Sequence, residues 1–256
     1  MQIISVEFYG NFGFFKKPDI NDSIYLTYNM LHKPALLGVF GAILGFEGHK
    51  QYGKLPEYYE KLNKLKIGIQ PIGKGQKNGN FVKTTVKYNN ATGLASAGTL
   101  NILEQVLINP AFRVFVELEE DSDLFKKLEN KEATFIPYFG KNDFPCWWDE
   151  FKVYDNVCDV QAETFKISTI FKKQDDKTLN ELKKQVAFGL LAGMKQKAKA
   201  SFSQFERLPV SFNETLMQYS DPEEFVYTNL TFEKNKFIPN SDFKQLEEGG
   251  DVIYLF

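Results

Sequence analysis

The stretch Lys33-Pro-Ala-Leu-Leu-Gly-Val-Phe-Gly-Ala-Ile-Leu-Gly45 decides how the fold is read. Proline costs nothing at the first turn of a helix, because its missing N–H has no intrahelical acceptor there. The run that follows is predicted helical over residues 35–44. Gly38, Gly41 and Gly45 recur every three or four residues and form one smooth face. Each glycine weakens a helix interior by about 1 kcal/mol, so three on one side imply close packing, here expected against a sheet. Upstream, residues 3–9 alternate apolar side chains with Ser5 and Glu7 and read as a strand. Residues 10–22 are a Gly-, Asn- and Asp-rich loop holding Phe12, Phe14 and Phe15, and 24–28 form a short extended piece. Strand, loop and proline-started helix open a β-α-β unit.

Downstream, residues 56–65 read as a short helix and 66–72 as the next strand. Residues 73–80 (Gly-Lys-Gly-Gln-Lys-Asn-Gly-Asn) read as a mobile tip. From 81 to 88, Val82, Thr84, Val86 and Tyr88 alternate with Lys83, Thr85 and Lys87, a two-faced strand with its lysines on one side. Residues 99–107 are its returning partner. The 81–107 piece is either a long β-arm standing off the body or a plain surface hairpin; the pattern leaves both open. A strand at 111–118 follows. An amphipathic helix comes next at 121–130, with acids in its first turn, where they suit the helix dipole. A last strand is expected at 134–138. The count is β-α-β-(arm)-β-α-β, an α+β, ferredoxin-like arrangement.

The expected division is 1–145 and 146–256. The second part is expected to be smaller and β-rich, with strands at 151–154, 163–171, 225–232 and 252–256. One helix is expected over about 177–199. Its apolar stripe is Leu179, Leu182, Val186, Leu190 and Met194. Lys183, Lys184, Lys195, Lys197 and Lys199 lie mostly off that stripe, as a phosphate-facing surface or as a solvated face.

Charge is segregated. Residues 61–103 hold Lys61, Lys64, Lys66, Lys74, Lys77, Lys83 and Lys87 and no acid, a formal +7 in a chain of formal net charge −2, which leaves −9 for the rest. Gly, Asn and Tyr between the lysines suit a polyphosphate partner; a solvated loop is the plainer alternative. The overall pI near 5.9 excludes a generic nucleic-acid coat. At 43% hydrophobic and 25% charged the chain has the composition of a soluble globular protein. Its 25 Phe, 12 Tyr and 2 Trp exceed what a core of this size easily holds, so some rings are expected at the surface. Cys146 and Cys158 match neither a disulfide framework nor a zinc site and are expected to be free thiols. The beginning of the chain lacks the features of a signal peptide, and residues 35–46 are too short and glycine-broken to span a membrane. A cytoplasmic location is expected.

Catalytic and cofactor motifs are sparse. The two histidines, His32 and His49, have no spacing that supplies a carboxylate-oriented base. Neither H-E-x-x-H nor Cys-x-x-Cys is present, so no metal is expected, and Gly73-x-Gly75 lacks the third glycine and the context of a nucleotide loop. No cofactor is expected. His32 beside Lys33, or Tyr28 with a lysine, could serve a metal-independent ribonuclease. His32 precedes the helix and could equally be structural or bind phosphate.

Three blocks then stand in a familiar order: Tyr28-Asn-Met-Leu-His-Lys-Pro-Ala-Leu-Leu-Gly-Val-Phe-Gly-Ala-Ile-Leu-Gly45, Asn109-Pro-Ala-Phe-Arg-Val-Phe-Val116 and Ile136-Pro-Tyr-Phe-Gly-Lys-Asn-Asp-Phe-Pro145. With Leu208-Pro-Val-Ser-Phe and the final Val252-Ile-Tyr-Leu-Phe256, the series resembles the CRISPR-associated Cas-five family of the RAMP superfamily, most closely its type I-B branch. The resemblance covers most of the chain; residues 173–205 are the least familiar.

The resemblance implies an RNA-recognition-like N-terminal domain, a β-hairpin thumb (the 81–107 arm) and a smaller β-rich C-terminal domain. It implies a non-catalytic subunit of Cascade that holds the 5′ handle of crRNA. Such a subunit caps the row of backbone subunits beside the large subunit, and so meets target DNA only indirectly. The RNA-facing candidates are Asn11, Lys16 and Lys17 in the first loop and His32 and Lys33 at the helix start. They continue with Lys83, Lys87, Tyr88 and Asn89 on the arm, Arg113 beyond it, and Gly140, Lys141 and Asn142 in the aromatic turn. A type I-C branch cuts repeat RNA with a tyrosine and a Lys-His pair. Here the neighbours of the histidines are Leu31, Lys33, Gly48 and Lys50, so the Lys-His order is absent and binding without cleavage is expected. The alternative is a metal-independent endoribonuclease that processes CRISPR repeat RNA.

Overall fold

The computed structural model describes residues 1–18, 24–91, 99–173, 201–247 and 251–256. Its elements begin with β1 (Gln2–Gly10), β2 (Phe12–Gly13), β3 (Ile24–Tyr25), α1 (Lys33–Leu44), α2 (Glu57–Leu62) and β4 (Ile67–Pro71). A small hairpin, β5 (Gln76–Lys77) and β6 (Asn80–Phe81), leads into the long one, β7 (Lys83–Ala91) and β8 (Thr99–Ile108). Then come β9 (Ala111–Leu118), α3 (Asp123–Asn130) and β10 (Cys146–Tyr154).

Four of these strands form one sheet in the order β10-β1-β9-β4, every neighbouring pair antiparallel. Alternate residues of its strands (Ile4, Val6, Phe8; Ile67, Ile69; Phe112, Val114, Val116) share a buried core with Leu36, Leu37, Phe40 and Ile43 of α1 and Leu124, Phe125 and Leu128 of α3. That period of two on the strands, against three and four on the helices, is what joins a sheet to a helical layer. On the other face, Ile3 and Phe115 pack with Leu246, Ile253 and Leu255.

The C-terminal part is built from short strands. They are β11 (Cys158–Asp159), β12 (Thr164–Lys166), β13 (Phe171–Lys172), β14 (Ser203–Leu208), β15 (Phe212–Asn213), β16 (Gln218–Tyr219), β17 (Glu223–Thr228), β18 (Thr231–Glu233), β19 (Phe243–Gln245) and β20 (Val252–Tyr254). They pair as β11-β19-β20, β12-β18, β13-β17-β14 and β15-β16. Reciprocal backbone hydrogen bonds between Ile67 and Phe256, and one from Ile170 N to Ile69 O, tie this part to the edge strand β4. The architecture is α+β and strand-rich. Among the described residues no helix is long and apolar enough to cross a membrane.

Several expectations change. The glycine face of α1 meets helix α2 rather than a sheet: a Cβ on Gly41 would lie 2.4 Å from the Cβ of Tyr58. The supposed mobile tip at 73–80 is the β5–β6 hairpin, seated on the body by Asn29, whose Nδ2 donates to Gly79 O (2.6 Å) and whose Oδ1 accepts from Phe81 N (3.0 Å). The strand expected at 134–138 does not form. Thr134 N and Phe135 N instead donate to Ile43 O and Ala42 O, satisfying carbonyls that the end of α1 leaves open. The sheet's fourth strand is β10, so a division at 145/146 falls immediately before a strand of the N-terminal sheet. The helix expected over 177–199, with its lysines, lies outside the described residues.

Candidate nucleic-acid interface

The long hairpin is two-faced, as its alternation requires. On β7, Val86 packs toward Phe14, Val106 and Phe144, while Lys83, Thr85, Lys87 and Asn89 lie on the opposite, outer side. The register places Gln105, Leu103 and Asn101 of β8 opposite Thr85, Lys87 and Asn89. Glu104 is the one acid in either strand, and it belongs to the inner face, where its carboxylate takes the Lys141 ammonium at 2.9 Å. Among the described residues the outer face therefore carries cations, neutral polar groups and the exposed Leu103, and no acid. Lys77 is on the small hairpin that leads into β7, and Lys74 stands just before it. Lys74, Lys77 and Lys87 are exposed and make no ion pair with any described residue. Lys61 and Lys66, by contrast, pair with Glu57 and Asp242.

The candidates in the aromatic turn brace the hairpin. Tyr88 donates its hydroxyl to Asp143 (2.8 Å), and the Lys141 Nζ sits 3.2 Å from the centre of the Tyr88 ring. Partial burial of the Lys141 ammonium opposes its charge, but its hydrogen bonds with Tyr88 and Glu104 outweigh this and raise its pKa. Gly140 N donates back to Tyr138 O (3.2 Å), so this N–H is engaged within the turn. Asn142 is exposed, and so is Asn11, whose carbonyl accepts from Asn109 N.

Three further candidates are engaged inside the protein. His32 is buried, 1% exposed, and caps α1 by accepting from Ala35 N at its Nδ1 (3.3 Å). Its ring meets the rings of Phe15, Tyr28 and Tyr219 edge-on, and its Nε2 has no partner. It cannot touch RNA or serve as a base there. Burial lowers its pKa from 6.5 to about 3, so the folded protein holds it neutral. An unfolded chain binds that proton below about pH 6.5, so His32 stabilises the fold above that pH and the contribution is lost as pH falls toward 3. The expected result is that the parent loses about 2 kcal/mol more stability between pH 7 and pH 5 than His32→Asn, which can still cap the helix. Denaturant titrations at the two pH values measure this; equal losses would contradict a neutral buried His32.

Lys33 donates to Phe256 O (2.9 Å), and burial, with repulsion from Lys66, lowers its pKa to about 8. Arg113 is on the sheet face opposite the helices, where its Nε donates to Glu7 (2.9 Å). Glu150, Glu247 and Asp251 line the same hollow of about 470 Å³. Lys152 lines it too, so Arg113 is engaged with Glu7 in a hollow where acids outnumber cations. Lys16 lies over the Tyr25 ring at 3.7 Å.

Lys17 and Lys83 open onto a second hollow that sequence reading missed. This cleft of about 650 Å³ is bounded by Asn29, Asn80 and Lys83 on one side and by Phe205, Glu206 and Arg207 of β14 on the other. Glu206 accepts from Asn29 N (2.8 Å) and lies 3.7 Å from Lys17. Asn29 and Glu206 are 177 positions apart, and no local pattern announces such a pair.

No family model matches the chain, and no curated protein matches it. Among solved structures it is similar to a chain of a CRISPR RNA-guided surveillance complex. The identity is 14%, over 89% of this chain and 90% of that one, with a TM-score of 0.48. It is also similar to a CRISPR protein from Archaeoglobus fulgidus, at 15% identity over 100% and 98%, with a TM-score of 0.44. A third likeness is to a chain of the Type III-B Cmr-beta complex bound to cognate target RNA and AMPPnP, at 7% identity over 98% and 99%, with a TM-score of 0.48.

Proposed function

We propose that this chain is a subunit of a type I CRISPR surveillance complex that holds the 5′ handle of crRNA without cutting it and caps the backbone row beside the large subunit. The observation that carries the RNA-holding part is the outer hairpin face: Lys83 and Lys87 with Thr85, Asn89, Asn101 and Gln105, no acid among them, preceded in the chain by the exposed Lys74 and Lys77. Phosphates bind such a face through the ammonium groups, and its amides and hydroxyls add neutral hydrogen bonds. The sheet order β10-β1-β9-β4, with α1 and α3 packed on one face, supports a ferredoxin-like reading of the N-terminal part. The sequence resemblance supplies the handle, the backbone and large subunits, and the type I-B assignment. The buried, neutral His32 supports holding without cutting, because it removes one of the two histidines from any acid–base role.

The test is incubation of the purified chain with labelled repeat RNA in EDTA across a salt series. Intact RNA is expected to be retained, with affinity falling linearly in log K against log salt. A discrete cut would replace this reading by the ribonuclease. Retention indifferent to salt would remove the hairpin face as its cause.

A further inference from the structure

We propose that the cleft between Lys17, Lys83 and Arg207 receives one nucleotide of the bound RNA, its phosphate among the three cations and its base against Phe205, which makes strand β14 part of the nucleic-acid site. The proposal rests on the RNA-holding reading above and extends it to a C-terminal strand for which the sequence offered no function.

Three cations reach the cleft from three separate segments: Lys17 beyond β2, Lys83 at the start of β7 and Arg207 on β14. The acids present are Glu206 and Asp221. Glu206 answers Lys17 at 3.7 Å through one oxygen, while its other oxygen is buried without a partner. Burial raises the pKa of Glu206, against the Asn29 hydrogen bond and the charges of Lys17 and Lys83, which lower it. Burial likewise lowers the pKa of Lys83, and repulsion from Lys17 adds to it in spite of Glu206. The cleft is lined by three basic side chains and two acidic ones, so its own acids offset its positive charge incompletely.

Shape and rigidity agree. The volume of about 650 Å³ falls in the range of about 300–1,000 Å³ typical of small-molecule sites. One wall is fixed by the clamp of Asn29 on Gly79 and Phe81, so little ordering is left for the ligand to impose. Among the described residues strand β14 pairs with β17 alone, at the end of the order β13-β17-β14. Phe205, 38% exposed, is the ring on that strand available for stacking. Arg207 is oriented by its hydrogen bond to Pro222 O (3.2 Å). An aromatic face beside cations is the sequence-tolerant chemistry of single-strand binding.

The experiment measures fluorescence anisotropy of labelled oligo-A, oligo-C, oligo-G and oligo-U octamers with the full chain and with Phe205→Ala, Arg207→Ala and Lys87→Glu. Lys87 lies on the hairpin outside the cleft and reports on the RNA-holding reading alone. Each cleft variant is expected to weaken binding about tenfold with an unchanged melting transition, and Lys87→Glu to weaken it as well. If Lys87→Glu weakens binding and both cleft variants bind as the parent does, this inference is overturned and the broader reading stands. If no octamer is retained, or none of the three variants weakens binding, both fall. Photocrosslinking with 4-thiouridine RNA gives a second readout that does not depend on variant stability. The crosslinked peptide is expected to contain Phe205, and crosslinks confined to β7 and β8 would overturn the cleft.

Discussion

Replacing Lys74, Lys77, Lys83 and Lys87 together by glutamate abolishes retention of single-stranded RNA while the protein still folds; that is the result the hairpin face demands. Each phosphate neutralised on a single strand contributes about 0.7 to the slope of log K against log salt, so losing four such contacts flattens it by about 3. Reversing the sign adds repulsion to that loss. The fold is expected to tolerate the change, because all four residues are exposed and surface substitutions usually cost within about 0.5 kcal/mol each. Lys66→Glu is the matched control. Lys66 belongs to the same lysine-rich stretch of sequence but stands before the start of β4, whereas the hairpins follow its end, and answers Asp242 at 3.2 Å. Anisotropy at several salt concentrations decides the matter. A quadruple variant that keeps the parent's slope would place the RNA elsewhere.

The parts legible in the sequence were those written in local periodicity. Pro34 and the apolar run behind it announced α1, and the alternation of Val and Thr with Lys announced β7 and its two faces. The strand at 111–118 and the helix after it were legible for the same reason. Where periodicity was absent, composition misled. Residues 134–138 have the β-branched and aromatic character of a strand, yet the Thr134 and Phe135 N–H groups serve the end of α1, a need that only the packed structure creates. The glycines of α1 signalled close approach correctly, but nothing local says whether a sheet or a tyrosine on α2 fills the space.

The candidate site was legible in charge and illegible in pairing. Lys83 and Lys87 lie on the outer face that the sequence assigned to them. Lys141, Lys33 and Arg113 do not offer the free charge their letters suggest, because Glu104, the Phe256 carbonyl and Glu7 reach them across the fold. His32 shows the same limit in another form. A histidine before a helix is equally a cap or a ligand, and burial among Phe15, Tyr28 and Tyr219 decides for the cap. The cleft at Glu206 depends wholly on segments far apart in the chain.

Gly140→Ala is expected to be among the most destabilising single substitutions in the protein. Gly140 has φ +79°, in the left-handed region that side chains disfavour, and a Cβ there would lie 1.9 Å from the carbonyl oxygen of Phe14. That carbonyl belongs to backbone and has little room to move. Phe14 N is held by Phe139 O (3.0 Å), and Phe139 is fully buried among Phe15 and Phe112. Relieving the clash would pull Phe14 and Phe139 apart, and it would draw Lys141 off Glu104 and Tyr88, loosening the base of the hairpin. Backbone strain plus a disturbed core amounts to about 4 kcal/mol, measurable as a lower urea midpoint. Asn142→Ala, exposed in the same turn, should cost within about 0.5 kcal/mol. RNA retention by the two variants then separates scaffold from contact. Loss with Gly140→Ala alone assigns the turn the role of bracing the hairpin, whereas loss with a fully folded Asn142→Ala assigns it a direct contact with the RNA. A Gly140→Ala protein as stable as the parent would mean that the turn does not hold Phe14 in the way its geometry requires.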